Sequence, residues 1–515
     1  MTRRDWWKSA TIYQIYPRSF MDSNGDGIGD LPGIERRLDH LTALGVDTVW
    51  ISPIFPSPMA DFGYDVSDYT GIDPIFGTLE QFDALAAAIR ARGLRLLLDF
   101  VPGHSSEAHP WFVESRASKD NPKRDWYVWR DPAPDGGPPT NWLSHFGGSA
   151  WTRDEATGQY YLHMFLPEQP NLNWRNPEVR AAMLDAMRFW YDRGVDGFRV
   201  DAFENVSADP EAGDNPPDPD WIPGLPEPLR FLQHATQHRP EVFDVARDMR
   251  LLAESYDPPR LLVGEVYGPL DVLMRYYGDR LDAFQLPFNF QMIGMDWDAG
   301  RVAALISQYE SLLPEGAWPN WVLGNHDRQR PATRFGAANA RASMTLLLTL
   351  RGTPTIYQGE ELGMEDVPVP PERVVDPWGI NVPGFGRDPV RTPIPWGDAA
   401  GFGAGEPWLP IGTPEEGGVA QQDADPASTL SMTRRLLALR AATPALHSGD
   451  ISEIGAEGDV LTYTRTGEGG PLRVAINFSD GPRPGPDGTT VFSSHGEDGA
   501  APAALRPHEA RILRA

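Results

Sequence analysis

The sequence predicts an α/β fold: a (β/α)8 TIM barrel with an inserted domain after its third strand and a C-terminal antiparallel β domain. Strand-like apolar runs alternate with helical patterns along most of the chain, and several of these runs end in carboxylate side chains. Acids at the C-terminal ends of successive strands are typical of the functional face of such a barrel. From about residue 446 onward the pattern changes to short runs of period two, which favour antiparallel strands.

The first part of the barrel shows three strand-like runs with helices between them. The predicted strands are residues 11–16, 48–51 and 94–101. Between the first two, apolar residues recur at helical spacing as far as Leu44, and Gly45 ends that helix. A second helix covers 79–92. The third strand is a continuous apolar run, typical of a parallel strand that is buried on both faces.

The alternation then stops and resumes. Residues 104–173 are rich in Trp, Pro, Gly and Asp without a long periodic helix, which predicts an inserted domain. The later elements are a helix over 178–192, strands at 197–202, 261–266, 283–288, 321–325 and 353–357, a Pro/Gly-rich excursion over 362–428 and a helix over 429–442. The predicted domains are therefore the barrel over 1–103 and 174–445, the insertion over 104–173 and the β domain over 446–515.

Composition excludes several classes of function. The net charge of −27 argues against nucleic acid or an anionic membrane as a partner and suits a neutral small-molecule substrate. The chain has no cysteine, which excludes disulfides and thiolate chemistry. It also has no apolar stretch near the ~20 residues of a membrane span and no apolar leader after the first ten residues. We therefore expect a cytoplasmic protein. The oligomeric state is left open.

Two of the strand-end acids are suited to acid–base and nucleophilic chemistry. Arg199 precedes Asp201 by two residues, so both side chains lie on one face of the strand, and the guanidinium would keep the carboxylate ionised. Glu265 ends the fifth strand. Carboxyls ~5–5.5 Å apart support a retaining double displacement at a sugar, with Asp201 attacking the anomeric carbon and Glu265 protonating the leaving oxygen. The alternatives are a structural Arg–Asp pair and a merely solvated glutamate.

Three further residues lie at the same level of the barrel. Asp327 closes the seventh strand beside His326, and a third carboxylate there can bind sugar hydroxyls and strain the ring. His104 follows the third strand. Taken singly, each histidine is also consistent with a structural role, and no His-x-x-x-His spacing supports a zinc site.

The loop after the first strand carries oxygen ligands at alternate positions. These are Asp22, Asn24, Asp26, Ile28 through its carbonyl, and Asp30. Such a set suits a structural Ca2+ or Mg2+ ion. The loop begins like an EF-hand loop, but its twelfth residue is Gly33, where an EF-hand has a glutamate. The alternative is a solvated acidic turn.

Several motifs, in order, resemble the α-amylase superfamily of glycoside hydrolases and, within it, the α-glucosidase and oligo-1,6-glucosidase branch. They are the runs 6–7, 12–20, 61–65, 99–104, 197–202, 264–266, 325–327, 357–361 and 391–393. The resemblance implies that Asp201 is the nucleophile, Glu265 the proton donor and Asp327 the transition-state stabiliser. It also implies a subsite for the terminal glucose formed by Asp61, Tyr64, His104, Arg199, His326 and Arg391, with Phe146 and Phe165 as its apolar wall.

The chain departs from the family pattern at three positions. Gly103 stands where the family usually has Asn, which makes the interdomain calcium site of calcium-dependent amylases doubtful, and Asn171 stands where an acid is usual. Ala202 follows the nucleophile, where α-1,6-preferring relatives typically carry Val. No cofactor is expected for the chemistry.

The resemblance implies a retaining exo-α-glucosidase that releases glucose from short, maltose-type α-glucosides, with α-1,4 linkages preferred and with transglucosylation activity. One alternative is an α-glucosyltransferase or a sucrose or maltose isomerase that uses the same triad. A more remote alternative is a binding relative without catalysis.

Overall fold

The computed structural model describes residues 3–398, 401–496 and 504–514. Its strands, in chain order, are β1 Ile12–Ile15, β2 Thr48–Ile51, β3 Arg95–Phe100, β4 Trp129–Arg130, β5 Trp151–Arg153, β6 Tyr160–Leu162, β7 Gly197–Val200, β8 Leu261–Gly264, β9 Leu286–Pro287, β10 Asn320–Val322, β11 Thr353–Tyr357, β12 Asp450–Glu457, β13 Val460–Thr466, β14 Leu472–Asn477, β15 Arg483–Pro484, β16 Thr489–Ser493, β17 Ala504–Leu505 and β18 Ala510–Arg514.

The helices are α1 Leu31–Arg36, α2 Leu38–Leu44, α3 Leu79–Ala91, α4 Pro110–Ala117, α5 Pro177–Asp192, α6 Glu241–Glu254, α7 Leu270–Arg275, α8 Ala299–Leu312, α9 Pro331–Arg334, α10 Ala340–Thr349, α11 Pro377–Asn381, α12 Val419–Ala424, α13 Thr429–Ala442 and α14 Pro444–His447. None of the helices in the described ranges is long and apolar enough to cross a membrane.

Eight strands form the barrel. They lie in the order β10-β11-β1-β2-β3-β7-β8-β9, and neighbouring strands pair in parallel. A parallel bridge between Asn289, just after β9, and Trp321 in β10 joins the two edges of this sheet. The predicted barrel is thereby confirmed. Apolar side chains fill its interior, and a second, larger core lies between the strands and the surrounding helices.

The structure differs most from the sequence prediction at two elements, and the fourth, fifth and seventh barrel strands end two or three residues earlier than predicted. The first predicted helix is divided at Arg37, whose φ of −106° and ψ of 8° leave the helical region, so α1 and α2 are separate. The sixth strand is reduced to two residues because its start bonds elsewhere: the Gln285 side-chain oxygen accepts from the Leu262 backbone N–H at 2.9 Å, and the N–H of Phe284 donates to the carbonyl of Tyr276.

The segment between β3 and β7 holds α4 and a three-stranded antiparallel sheet in the order β4-β6-β5. An antiparallel bridge between His104 and Asn171 ties its two ends together beside β3. After α14 the chain forms a five-stranded antiparallel sheet in the order β12-β13-β14-β18-β16, which packs on α8 and α10. The inserted segment and the α11 region both lie over the C-terminal face of the barrel, where the functional site is found.

Candidate active site

Arg199 lies at the centre of a carboxyl cluster formed by three neighbouring barrel strands. Its Nη1 lies 2.7 Å from Oδ1 of Asp99 and 2.7 Å from Oδ1 of Asp201, and its Nη2 lies 2.6 Å from Oε2 of Glu265. The parallel register explains why Asp99 contacts Arg199, because Asp99 in β3 pairs with Arg199 in β7 and both side chains lie on one face of the sheet. The cluster therefore follows from the strands themselves.

One guanidinium contacts three carboxyls, so the cluster has more acidic than basic groups. Burial raises the pKa of Asp201 above its usual range, and Glu265 and Asp99 add to that effect, although Arg199 opposes it. Burial raises the pKa of Asp99 to about 7 against the pull of Arg199. The cluster can therefore hold a proton at neutral pH, and the expectation that Arg199 alone keeps Asp201 ionised is not met.

Asp327 lies in the opposite electrostatic setting. Its Oδ1 accepts from Nη2 of Arg391 at 2.6 Å and from Nη1 of Arg387 at 3.2 Å, and its Oδ2 lies 3.3 Å from Nε2 of His326. Although burial opposes ionisation, His326, Arg391 and Arg387 hold the pKa of Asp327 well below its usual range. These three neighbours therefore favour the charged form of this carboxylate.

Asp61 and Arg387 close one end of the site. Nη2 of Arg387 lies 2.6 Å from Oδ1 of Asp61 and 2.6 Å from Oδ1 of Asp376. The other oxygen of Asp61 accepts from the side-chain amide of Gln169 at 3.2 Å, and His104 lies beside that amide. Burial raises the pKa of Asp61 to about 6, although Arg387 lowers it. This end of the site is thus a wall of charge and hydrogen bonds.

A cavity of about 460 Å³ contains the site. The sequence-predicted residues that line it are Asp201, Glu265, Asp327, Asp61, Tyr64, His104, Phe146 and Phe165. Arg199, His326 and Arg391 lie behind this surface and bind the carboxylates, so they hold the acids in place. A larger cavity of about 1110 Å³ adjoins the first and shares Tyr267 and Trp378 with it.

Several site residues were missed by the sequence analysis. Arg387 and Trp378 come from the Pro/Gly-rich excursion, and Arg387 lies over the rings of Phe146 and Trp378 at 5.0 and 5.7 Å. No periodic signal marks that excursion. Asp99 begins one of the acid-bearing motifs but received no role, although its place in the third strand was visible. Glu204, three residues after Asp201, also lines the cavity.

The five predicted metal-ligand residues lie in one loop, and their side chains bind the loop itself. Asp22 accepts from the backbone N–H groups of Asn24, Gly25 and Gly27, and Asp26 accepts from that of Ile28. Asp30 caps α1 through Gly33. Across the described ranges, no group of three or more His, Cys, Asp or Glu side chains is arranged to hold a metal ion. The ion therefore stays a prediction from the spacing of these residues.

Two departures from the family pattern contact each other. The side-chain amide of Asn171 donates to the carbonyl of Gly103 at 3.2 Å, and its oxygen accepts from the N–H of Met164 at 2.8 Å. A Cβ added at Gly103 would meet open space. A neutral hydrogen bond thus joins the inserted segment to the end of β3.

Comparison with known proteins gives the family. Residues 14–449 match the family described as the alpha amylase catalytic domain. The chain belongs to the alpha-amylase family. It is therefore a glycoside hydrolase, as its relatives indicate. It is 45% identical to a probable alpha-glucosidase of Rhizobium meliloti strain 1021, over 93% of this chain and 90% of that protein. It is 37% identical to an oligo-1,6-glucosidase of Halalkalibacterium halodurans, over 98% of each.

Solved structures of the alpha-amylase family match the whole fold. The alpha-glucosyl transfer enzyme XgtA superimposes with a TM-score of 0.92 at 42% identity, covering 99% of both chains. The trehalulose synthase MutB from Pseudomonas mesoacidophila MX-45 gives a TM-score of 0.89 at 37% identity, again over 99% of both chains. The neighbours therefore include enzymes that move a glucosyl group.

Proposed function

We propose that this glycoside hydrolase is a retaining exo-α-glucosidase that acts on short, maltose-type α-glucosides, prefers the α-1,4 linkage and also transfers glucose to acceptors. The observation that carries the proposal is the arrangement of Asp201 and Glu265 on the two terminal nitrogens of one guanidinium. Two carboxyls that share one guanidinium suit the short separation of a double displacement better than the wider gap that inversion needs for a water.

The proposed reaction uses three carboxyls in different roles. Asp201 attacks the anomeric carbon and the glycosidic C–O bond breaks, while Glu265 gives its proton to the departing oxygen. Glu265, now ionised, then takes a proton from water, and the resulting hydroxide attacks the same carbon and releases Asp201 and glucose. Asp327, kept ionised by its two arginines, binds sugar hydroxyls and stabilises the positive charge that develops on the ring.

The cavity end formed by Asp61 and Arg387 favours removal of a single terminal glucose from the substrate. The Asp61–Arg387 ion pair blocks extension of the sugar chain past this point, and its charged groups match ring hydroxyls. Phe146 and Phe165, with ring centroids 5.6 Å apart, offer an apolar wall to the C–H face of the sugar. We expect disaccharides to be good substrates and starch a poor one.

A second candidate is glucosyl transfer or sucrose isomerisation with the same residues. The whole-length similarity to XgtA and to trehalulose synthase favours it, and the larger adjoining cavity offers room for an acceptor sugar. In that reaction a sugar hydroxyl replaces water at the glucosyl–enzyme intermediate, so hydrolysis and transfer share every earlier step.

One time course separates these candidates. The purified protein is incubated with maltose, isomaltose, sucrose, soluble starch and 4-nitrophenyl α-glucoside, the products are separated by chromatography, and the anomer released first is identified by proton NMR. The proposal requires glucose from maltose and α-glucose as the first anomer from 4-nitrophenyl α-glucoside, whose aglycone is not a sugar, with transfer products as a minor fraction. Early β-glucose from the nitrophenyl substrate or rapid internal cleavage of starch would contradict it, and isomers from sucrose without glucose release would favour the second candidate.

A further inference from the structure

Glu204 is a buried carboxyl in the active-site cavity that the double displacement does not use. It lies in a short turn directly after Asp201, is 4% exposed and lines the cavity beside Asp201 and Glu265. The turn is fixed against Glu265, because the N–H of Ala202 donates to Oε2 of Glu265 at 2.8 Å and the N–H of Phe203 donates to its carbonyl at 3.0 Å. Glu204 therefore has a defined position next to the proposed proton donor.

Glu204 differs from the other acids of the cavity in having no cation. Asp61, Asp201, Glu265 and Asp327 each contact an arginine within 3.2 Å. Within the described ranges no ion pair involves Glu204, and its Oε2 is buried without a hydrogen-bond partner. An unpartnered buried carboxyl oxygen costs free energy unless a ligand or water meets it.

The titratable groups that surround Glu204 come from every element packed around it. They are Arg199 and Asp201 at β7, Glu265 and Tyr267 after β8, Tyr276 after α7, His238 before α6, His145 of the inserted segment and Arg328 after β10. Arg199 and Arg328 carry permanent positive charges, but three other carboxyls already bind Arg199, and Arg328 donates to the Tyr267 hydroxyl at 3.4 Å. The surroundings of Glu204 thus favour its neutral form.

The pKa of Glu204 is shifted in the direction that these surroundings favour. Burial raises the pKa of Glu204 to about 8, and Glu265 adds to the effect. The backbone N–H groups of Glu204 and Tyr267, and the charge of Arg199, oppose it only in part. A protonated carboxyl has one O–H donor and one carbonyl acceptor, which together match a sugar hydroxyl.

We propose that Glu204 is a specificity-determining residue of the acceptor side, whose protonated carboxyl donates a hydrogen bond to a hydroxyl of the leaving or accepting sugar. Its place beside Glu265, which meets the glycosidic oxygen in the proposed reaction, puts it on that side of the bond. This inference rests on the proposed α-glucosidase function and names the part of the substrate that the extra acid selects: an aglycone that is itself a hydroxylated sugar.

The test compares a sugar aglycone with one that has no sugar hydroxyls. We expect Glu204→Met, which keeps the length of the side chain but lacks a donor, to lower kcat/KM for maltose about tenfold more than kcat/KM for 4-nitrophenyl α-glucoside. Glu204→Gln, which retains a donor, should restore the ratio of the two. Equal losses on both substrates in Glu204→Met, or a Gln variant no better than Met, would overturn the inference.

The pH profile distinguishes a Glu204 that titrates from one that only packs, because the effect of packing would not change with pH. In the wild-type protein the maltose to nitrophenyl ratio of kcat/KM should fall between about pH 7 and about pH 9, as Glu204 loses its proton. In Glu204→Gln the ratio should stay flat, and a wild-type fall that persists in this variant would count against Glu204. A wild-type protein that cleaves neither substrate would refute the α-glucosidase function itself, so the two failures are distinct.

Discussion

Arg387 and Asp61 lie 326 residues apart in the sequence, and their side chains meet at 2.6 Å at the closed end of the active-site cavity. The same guanidinium also binds Asp327 and Asp376. One side chain of the excursion after β11 therefore bounds one end of the cavity and helps to keep Asp327, a proposed catalytic acid, ionised.

The first prediction concerns this arginine. Arg387→Lys keeps the charge but loses the planar fork, so it cannot hold Asp61, Asp327 and Asp376 together. We expect kcat/KM for maltose to fall between about tenfold and a hundredfold, mainly through a higher KM. The matched control is Arg301→Lys on the surface, where the side chain is 64% exposed. Equal activity in both variants would show that the ion pair does not form the sugar pocket.

The second prediction concerns the catalytic pair. Asp201→Asn and Glu265→Gln should remain folded, with kcat reduced by several orders of magnitude, because each variant lacks one step of the double displacement. Azide should partly restore turnover of an activated aryl glucoside in Glu265→Ala, where departure needs no acid. Asp296→Asn, an exposed acid, serves as the control. Near-wild-type turnover in Asp201→Asn would refute its role as nucleophile.

The third prediction concerns stability in acid. Burial lowers the pKa of His163 to about 4, and the ring is held by Thr152 at 2.9 Å and by the carbonyl of Phe165 at 2.9 Å. Because the folded pKa is below the unfolded value, the neutral ring contributes stability that is present above about pH 6.5. That contribution is lost as pH falls through about 4.

His163→Gln should therefore flatten the fall in the free energy of unfolding between about pH 6.5 and about pH 4, an effect of the order of 3 kcal/mol at most. Urea unfolding at a series of pH values measures it. His234→Gln, which changes an exposed histidine, is the control. An unchanged acid slope in His163→Gln would mean that this ring does not titrate as its burial implies.

The fourth prediction concerns the ion expected in the loop of Asp22, Asn24, Asp26, Ile28 and Asp30. If the loop holds Ca2+ or Mg2+, EDTA should lower Tm and added Ca2+ should restore it, with little change of activity at low temperature. Asp26→Asn should weaken that response, since the exposed Asp26 accepts only from Asn24 and the N–H of Ile28 within the loop. An unaltered Tm in EDTA would identify the loop as a solvated acidic turn.

The fifth prediction concerns linkage and Ala202. We expect a higher kcat/KM for maltose than for isomaltose, and a shift toward isomaltose in Ala202→Val, because a β-branched side chain narrows the acceptor side by one or two methyl groups, worth roughly 10- to 200-fold. Ala202 has a φ of 38°, a conformation that strains valine. Tm must therefore be measured as well, with Ala202→Gly as the unstrained control. A native preference for isomaltose would show that Ala202 does not govern linkage.

The barrel was predictable because its strands are continuous apolar runs and its helices end at glycines such as Gly45, where φ is 92°. The sixth strand was less predictable, because the Gln285 side chain, and not a backbone carbonyl, accepts a hydrogen bond from the neighbouring strand. No sequence pattern predicts such a bond. Asp201 and Glu265 could be found because each directly follows its strand. Arg387 could not, since its position depends on tertiary contacts of an irregular segment.

The crowding of acids around so few arginines also limits which sugars can enter. Asp61, Asp99, Asp201, Glu265 and Asp327 face Arg199, Arg387 and Arg391, within a chain whose net charge is −27. A phosphate ester or a uronic acid would approach this mouth against the negative charge of the whole chain. We therefore expect uncharged sugars to enter the pocket more readily than their phosphorylated counterparts.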